Sequence, residues 1–242
     1  MALLTIKELT KTYRNGRGIR ELNLEIHAGE VVALLGPNGS GKTTAIKAML
    51  GLLHMNKGSV DIQGFNRDTH LKEILRVTGA VIGSPAHYEY MSAYKNLEQV
   101  RSFFTYITKE DIRDYLDKVD LLEYRHEKVK NFSTGMKQRL AVAKAMIHKP
   151  ALLILDEPFS GMDIEGRAKI KTLLKDEIKK NKLGILISSH QIFDIEDMVT
   201  KVCIINESHW IATEPIAEIT GRYKNLEAYY LDKIQTAGRQ PL

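Results

Sequence analysis

The sequence predicts an α/β fold: a parallel sheet at the core, an antiparallel β side sheet, and a helical subdomain inserted at about residues 84–150. Three observations predict it. First, short continuous apolar runs recur at Val31–Leu35, Leu152–Leu155, Ile185–Ile187 and Val202–Ile205, each bounded by glycine, charge or turn residues. Runs of this kind mark strands buried on both faces of a parallel sheet. Second, helix-like stretches alternate with them, at 43–52, 95–107, 110–119, 136–147, 165–180 and 191–199. Strands interleaved with helices argue for an α/β core. Third, residues 3–9, 22–28 and 58–64 alternate apolar and polar side chains, the pattern of strands with one solvated face. Residues 70–150 show helices and no clear buried strand, so they read as an insertion into one unit spanning 1–232, with 233–242 as a loose tail.

The composition excludes several classes. Apolar residues are 43% and charged residues 27% of the 242-residue chain, as in a globular domain. Apolar runs such as Val31–Leu35 fall far short of the ~20 residues that cross a bilayer. Met1–Glu8 has no basic region followed by an apolar stretch, so it is not expected to be a secretory signal. The single cysteine, Cys203, sits in Val202-Cys203-Ile204-Ile205 and reads as a packed strand thiol; no internal disulfide framework is possible. These features favour the cytoplasm. Lys and Arg number 35 against 30 Asp and Glu, a net +5, but the signs are interspersed, as in Lys175-Asp176-Glu177-Ile178-Lys179-Lys180. That is a solvated helix face rather than a nucleic-acid patch, and no nucleic-acid partner is expected. The surplus is compatible with phosphate ligands or an anionic membrane surface.

Gly36-Pro37-Asn38-Gly39-Ser40-Gly41-Lys42-Thr43 fits the phosphate-binding pattern G-x-x-x-x-G-K-[ST]. Its context fits too, with a buried strand ending at Leu35 and a helix beginning near Thr43. Glycines at 36, 39 and 41 let the backbone wrap closely round phosphates so that N–H groups point inward. The helix N-terminus adds partial positive charge. Lys42 is placed to reach the β and γ phosphates, the Thr43 hydroxyl to hold Mg²⁺, and Thr44 joins the candidate nucleotide contacts. The motif and its context predict a P-loop NTPase core.

Leu152-Leu153-Ile154-Leu155-Asp156-Glu157-Pro158 is a buried strand ending in two carboxylates. Ligands of open α/β sheets bind at the carboxyl ends of strands. Asp156 would emerge beside the phosphate loop as a second Mg²⁺-holding group. Glu157 would face the attacking water, orienting it and accepting its proton.

With these motifs in place, the chain resembles the ATPase subunits of ATP-binding-cassette (ABC) transporters from about residue 4 to residue 232. Phe132-Ser133-Thr134-Gly135-Met136-Lys137-Gln138-Arg139 resembles the family signature, Ser160-Gly161-Met162-Asp163 the D-loop, and Ser188-Ser189-His190 the switch histidine. Tyr13 matches the aromatic that stacks on adenine. Ser133 and Gly135 precede a helix, so hydroxyl, backbone N–H and helix dipole make a second anion site. The resemblance implies ATP and Mg²⁺ as ligands and Glu157, His190 and Lys42 as catalytic groups. Ser133, Thr134, Gly135, Met136 and Asp163 would serve the site of a second ATPase subunit, either another copy or a related chain. It also implies a separate integral membrane permease, with this chain peripheral at the cytoplasmic face. The permease would dock near the helices at 95–119, where Tyr88, Tyr90, Tyr94, Phe103, Phe104 and Tyr106 read mostly as core packing.

Thr134 stands where the family usually has glycine, Met136 where it has glutamine, and Gly83 falls at the Q-loop glutamine. The signature string, the Q-loop region and the closing segment Asn225–Asp232 resemble the branch that includes bacitracin and lantibiotic resistance exporters. Two other readings stand beside the exporter: a soluble ABC ATPase acting on ribosomes or nucleic acid, and a slow ATP-dependent clamp.

Overall fold

A computed structural model describes residues 2–237. Its strands are β1 (Ala2–Thr12), β2 (Gly18–His27), β3 (Val31–Leu35), β4 (Lys57–Ile62), β5 (Phe65–Asn66), β6 (Thr78–Val81), β7 (Leu152–Asp156), β8 (Gly184–Ser189), β9 (Lys201–Asn206) and β10 (His209–Pro215). They form one sheet in the order β5-β4-β1-β2-β10-β9-β3-β8-β7-β6. From β9 to β6 every pairing is parallel. β1 pairs antiparallel with both β2 and β4. The two regions meet at β10, which is antiparallel to β9 and touches β2 through the single pair His209–Arg20. The expected parallel core and antiparallel side sheet are therefore arms of one sheet.

The four continuous apolar runs behave as their pattern requires. Val31, Ala33 and Leu35 of β3 pack into one hydrophobic cluster, and Val32 and Leu34 into the other. β7, β8 and β9 divide the same way, with Leu153, Ile185 and Val202 on one face and Leu152, Leu186 and Cys203 on the other. Successive strand residues face opposite sides, so a strand needs unbroken apolar sequence only when both sides are covered. Cys203 is fully buried, and burial pushes its thiol up to about 12, which makes it an inert packing group.

The helices are α1 (Lys42–Met49), α2 (Leu71–Val77), α3 (Ala93–Arg101), α4 (Lys109–Lys118), α5 (Thr134–Met146), α6 (Ile164–Asn181), α7 (Ile216–Thr220) and α8 (Leu226–Ala237). Local chemistry explains their starts. Ser92, Thr108, Ser133 and Asp163 each cap a helix by accepting a backbone N–H, and Thr108 with Asp111 forms a reciprocal capping box.

Three expectations need correction. Residues 70–150 do contain a buried strand, because β6 pairs in parallel with β7 at the sheet edge. Its sequence, Thr78-Gly79-Ala80-Val81, is short and small rather than long and branched. The reason is close approach: a Cβ at Gly79 would lie 2.0 Å from the Ala145 carbonyl oxygen of α5. The 191–199 helix is absent; a 3-10 turn at Ile192–Asp194 stands there, with Ile195, Met198 and Val199 buried. Those apolar side chains reach the core from irregular backbone, so their spacing imitated a helix. Third, the aromatics of the helical region are less buried than expected. Tyr94 and Phe104 pack on the core, whereas Tyr88 (49% exposed), Tyr90 (67%), Phe103 (80%) and Tyr106 (57%) do not.

The closing helix α8 runs past Asp232 to Ala237, where a loose tail was expected from 233. The remainder of that expected tail, 238–242, lies outside the described residues. Tyr229 of α8 is fully buried, and Glu214 of β10 pairs with Arg222 and Lys233 to hold the helix down. No described helix is long and apolar enough to cross a membrane.

Gly79→Ala should destabilise the fold by about 1–3 kcal/mol, because α5 must retreat from β6. Ala80→Val, at the neighbouring exposed position, should stay within about 0.5 kcal/mol. Urea midpoints of the two variants check the contrast.

Candidate nucleotide site

The loop Gly36–Gly41 joins β3 to α1 and lies at the carboxyl end of the parallel strands. Its shape depends on missing side chains. A Cβ at Gly36 would lie 2.1 Å from the Ile205 carbonyl oxygen, and one at Gly41 would lie 2.1 Å from that of Gly18. Gly41 also takes φ +116°, outside ordinary L-residue space. It occupies the cap position of α1 and supplies no capping side chain, so the first amides of that helix stay available. Ser40 is buried, and its hydroxyl has no partner among the described residues.

Lys42 is 6% exposed and folds back on the loop, donating to the Gly36 (2.7 Å) and Pro37 (3.1 Å) carbonyls. Burial lowers its pKa, opposed by the nearby Glu157 and Asp156 carboxylates. Its ammonium lies 3.9 Å from Glu157. An ammonium held in a ring of loop carbonyls is poised for a stronger anionic partner.

Asp156 ends β7, 2% exposed, and both carboxylate oxygens are engaged. The Thr43 hydroxyl donates to one at 2.8 Å and the Ser188 hydroxyl to the other at 2.6 Å. Ser188 also accepts from the Glu157 amide at 3.0 Å. Glu157 itself adopts a left-handed backbone, φ +51°, a conformation that non-glycine residues pay for and that collects at functional sites. Its carboxylate accepts from His190 Nδ1 at 2.7 Å.

A cavity of about 470 Å³ opens over this cluster, lined in part by Tyr13, Asn15, Arg17, Asn38, Lys42 and Glu157. Gly39, Gly41, Thr43 and Thr44 complete its phosphate end. Tyr13 is 43% exposed, with the Lys11 ammonium 5.4 Å from its ring centroid. An open aromatic face at one end and amides with an ammonium at the other suit a base–sugar–polyphosphate. Thr43 and Asp156 are oxygen donors of the type Mg²⁺ takes. The orphaned Ser40 hydroxyl and the glycine-lined cradle fit a phosphate chain. The residues present therefore fit ATP with Mg²⁺.

The structure thus brings together Tyr13, the phosphate loop, Asp156, Glu157 and His190. It does not bring the signature residues there. Ser133 and Thr134 are exposed, and none of Ser133, Thr134, Gly135 or Met136 lines that cavity. Ser133 caps α5 through the Met136 amide. Asp163 caps α6 through the Gly166 amide at 2.8 Å. Gly83 takes φ +59° in open space, with nothing within 4 Å of where a Cβ would be. Sequence reasoning missed Ser188, although it lies in the string that ends at His190. It also missed Asn15 and Arg17, which follow Tyr13 in the turn from β1 to β2.

The loop after β6 is fastened to α5. His87 Nε2 donates to the Lys137 carbonyl at 2.9 Å, Lys137 pairs with Glu89 at 2.6 Å, and Lys144 donates to the Ala86 carbonyl at 3.0 Å. Burial, with the Lys144 charge nearby, pushes the His87 imidazole down from 6.5 to about 4.

Fold and site together define a P-loop nucleotide-binding protein built on the cassette plan. The sequence profile of the ABC transporter family matches residues 19–160, and the chain belongs to that family. It is an ABC transporter ATP-binding subunit and an ATPase, with ATP and Mg²⁺ as its ligands. It is 34% identical to the bacitracin transport ATP-binding protein BcrA of Bacillus licheniformis, over 95% of this chain and 75% of that one. It is also 34% identical to the lantibiotic transport ATP-binding protein SrtF of Streptococcus pyogenes, over 96% and 97% of the two chains. A solved ATP-binding subunit of an ABC transporter superposes with TM-score 0.88 at 25% identity, covering 96% of this chain and 99% of that one.

Between pH 6.5 and about 4 the unfolded chain binds more protons at His87 than the folded chain. Stability contributed here is present above that window and is lost as pH falls through it. His87→Gln should flatten the decline in urea midpoint between about pH 7 and about pH 4.5.

Proposed function

We propose that two copies of this chain, or this chain and a related one, close face to face on two ATP molecules and drive a separate membrane permease. The observation that carries this reading is the division of the site. One chain lines one cavity with its phosphate loop and Glu157, to which Asp156 is tied through Thr43 and His190 through the Glu157 carboxylate, while Ser133 and Thr134 of its signature turn are exposed and away from that cavity. Ser133, Thr134, Gly135 and Met136 would close on the nucleotide held by the partner, and Asp163 would lie at the junction between them. Residues 1–232 would act as a single nucleotide-binding unit, with about 84–150 as its helical subdomain.

Each group then has a task. Tyr13 stacks the base; Gly36, Pro37, Asn38, Gly39, Ser40, Gly41 and Thr44 wrap the phosphates; Lys42 leaves its loop carbonyls for them. Thr43 and Asp156 hold Mg²⁺, which when bound neutralises phosphate charge. Glu157 orients the attacking water and takes its proton, with His190 holding that carboxylate in place and stabilising the γ-phosphate region.

The permease would dock on the helical region, where Tyr88, Tyr90, Phe103 and Tyr106 are exposed. The chain would then sit peripherally at the cytoplasmic face of the membrane. The relatives named for bacitracin and lantibiotic transport support export of an antimicrobial peptide, drug or lipid-like cargo. A slower, clamp-like ATPase is the second reading, favoured by the bare backbone at Gly83.

Glu157→Gln should cut phosphate release by about 10²–10⁴-fold and leave an ATP-dependent dimer that size-exclusion chromatography resolves. Turnover in the wild-type chain no faster than in this variant would instead support the clamp. Tagged chain drawn from detergent-solubilised membranes should bring one polytopic membrane protein with it in stoichiometric amount. A chain recovered only with ribosomes would overturn the transporter role and leave the ATPase chemistry standing.

A further inference from the structure

The D-loop segment and the segment after His190 are joined by one side chain. Arg167, in the first turn of α6, donates from Nε to the Met162 carbonyl at 3.1 Å and from Nη1 to Asp194 at 2.7 Å. It sits in a small cleft of about 100 Å³ whose other walls include Glu157, Ser160, His190 and Gln191. A guanidinium is a planar fork that can hold two acceptors in fixed relation. Here one acceptor belongs to the turn before α6 and the other to the chain that has just delivered His190.

That second segment is also held by Ile192 and Ile195 packing on the core and by Asp197 pairing with Lys171 and Lys175 of α6; Arg167 adds the tie to the turn before α6. Beyond the short loop in which the Gln191 amide donates to the Ser189 hydroxyl at 2.9 Å, residues 191–194 form only a 3-10 turn, and Gln191 and Phe193 are exposed. The turn before α6 also touches the signature. A Cβ at Gly161 would lie 2.8 Å from the Thr134 side chain, and one at Gly135 would lie 3.3 Å from the Gly161 carbonyl oxygen. Contacts run from the signature turn through Gly161 and Met162 to Arg167 and Asp194; from there the Asp194 amide bonds the Gln191 carbonyl, and the backbone leads to His190, which bonds Glu157.

We propose that Arg167 is a positioning residue which ties the signature turn, facing the partner's nucleotide, to the Glu157–His190 pair at this chain's own nucleotide. This rests on the reading of Glu157 and His190 given above. Closure of the signature on the partner's nucleotide would move the Gly161–Met162 turn, and the guanidinium would carry that movement to the base of the His190 segment. The two sites of the dimer would thereby fire in concert. The tether touches neither nucleotide, so it should govern turnover and leave binding alone.

The test uses the purified full chain and the variants Arg167→Ala, Arg167→Lys and Asp194→Asn, with Glu157→Gln as the reference. Phosphate release against ATP concentration gives kcat, KM and the Hill coefficient, and a fluorescent ATP analogue gives Kd. Arg167→Ala and Asp194→Asn should each lower kcat about 10- to 100-fold, the loss that misplacement by about 1 Å brings. Kd should stay within about twofold, the Hill coefficient should fall toward about 1, and the double variant should be no slower than the worse single one, since both cut one tether. Arg167→Lys should recover part of the rate through the pair with Asp194. Asp194→Asn keeps the shape of the site and carries the test if Arg167→Ala fails to fold. Wild-type kcat and Hill coefficient in Asp194→Asn and Arg167→Lys, with Glu157→Gln inactive, would overturn the tether alone. Full turnover in Glu157→Gln would overturn the reading of the pair on which it rests.

Discussion

The site is organised round one buried carboxylate. Asp156 ends a strand inside the sheet, where an ionised group without partners is expensive. Thr43 and Ser188 satisfy its two oxygens from different elements, α1 and β8. Those bonds exist only if β7 and β8 keep the register that pairs Asp156 with Ser188, and if β3 keeps the one that pairs Leu35 with Ser189. A one-residue slip would turn every side chain to the other face. The same Ser188 hydroxyl accepts the Glu157 amide, so the register that satisfies the Asp156 oxygens also sets the left-handed turn presenting Glu157. The groups proposed to hold Mg²⁺ and to orient water thus derive from one hydrogen-bonded knot, and the phosphate loop is attached to it through Thr43.

The apolar sheet makes this knot affordable to the fold. Each central strand contributes to hydrophobic clusters on both faces, and burial at roughly 25 cal/mol per Å² of apolar surface outweighs the cost of a few satisfied polar groups at the strand ends. The antiparallel arm extends the same sheet toward Tyr13, so the aromatic and phosphate ends of the cavity hang on one continuous scaffold. Polar edges and apolar interior are consequences of a single strand order.

The helical region does the opposite work, presenting rather than enclosing. Its signature turn is capped by its own Ser133 and exposed, and the loop before it is fastened to α5 by His87, Lys137 and Lys144. Gly83, in open space, offers that loop no side chain. Contact with α5 is instead what ties that loop to the body, through backbone carbonyls that do not depend on residue type at 83.

Much of this was legible in the one-dimensional chain. Runs such as Val31–Leu35 and Leu152–Leu155 announce two-faced burial, because side-chain alternation is a local property of a strand. Gly36–Thr43 announces a phosphate cradle, because its donors are consecutive backbone amides and one neighbouring lysine. The closing Asp156–Glu157 pair and His190 were placed by the ends of those strands. What tertiary structure alone decided is everything that depends on a close approach between distant segments. β6 escaped notice because its glycine answers to the Ala145 carbonyl of α5 rather than to strand propensity. The apolar spacing of 191–199 imitated a helix because irregular backbone can bury Ile195, Met198 and Val199 as well. Ser188 and Arg167 carry no local signal of their role, since a hydroxyl or guanidinium becomes a linchpin only when folding sets its partners within about 3 Å. Local pattern determines which elements form and which groups they offer; only packing determines which of those groups meet.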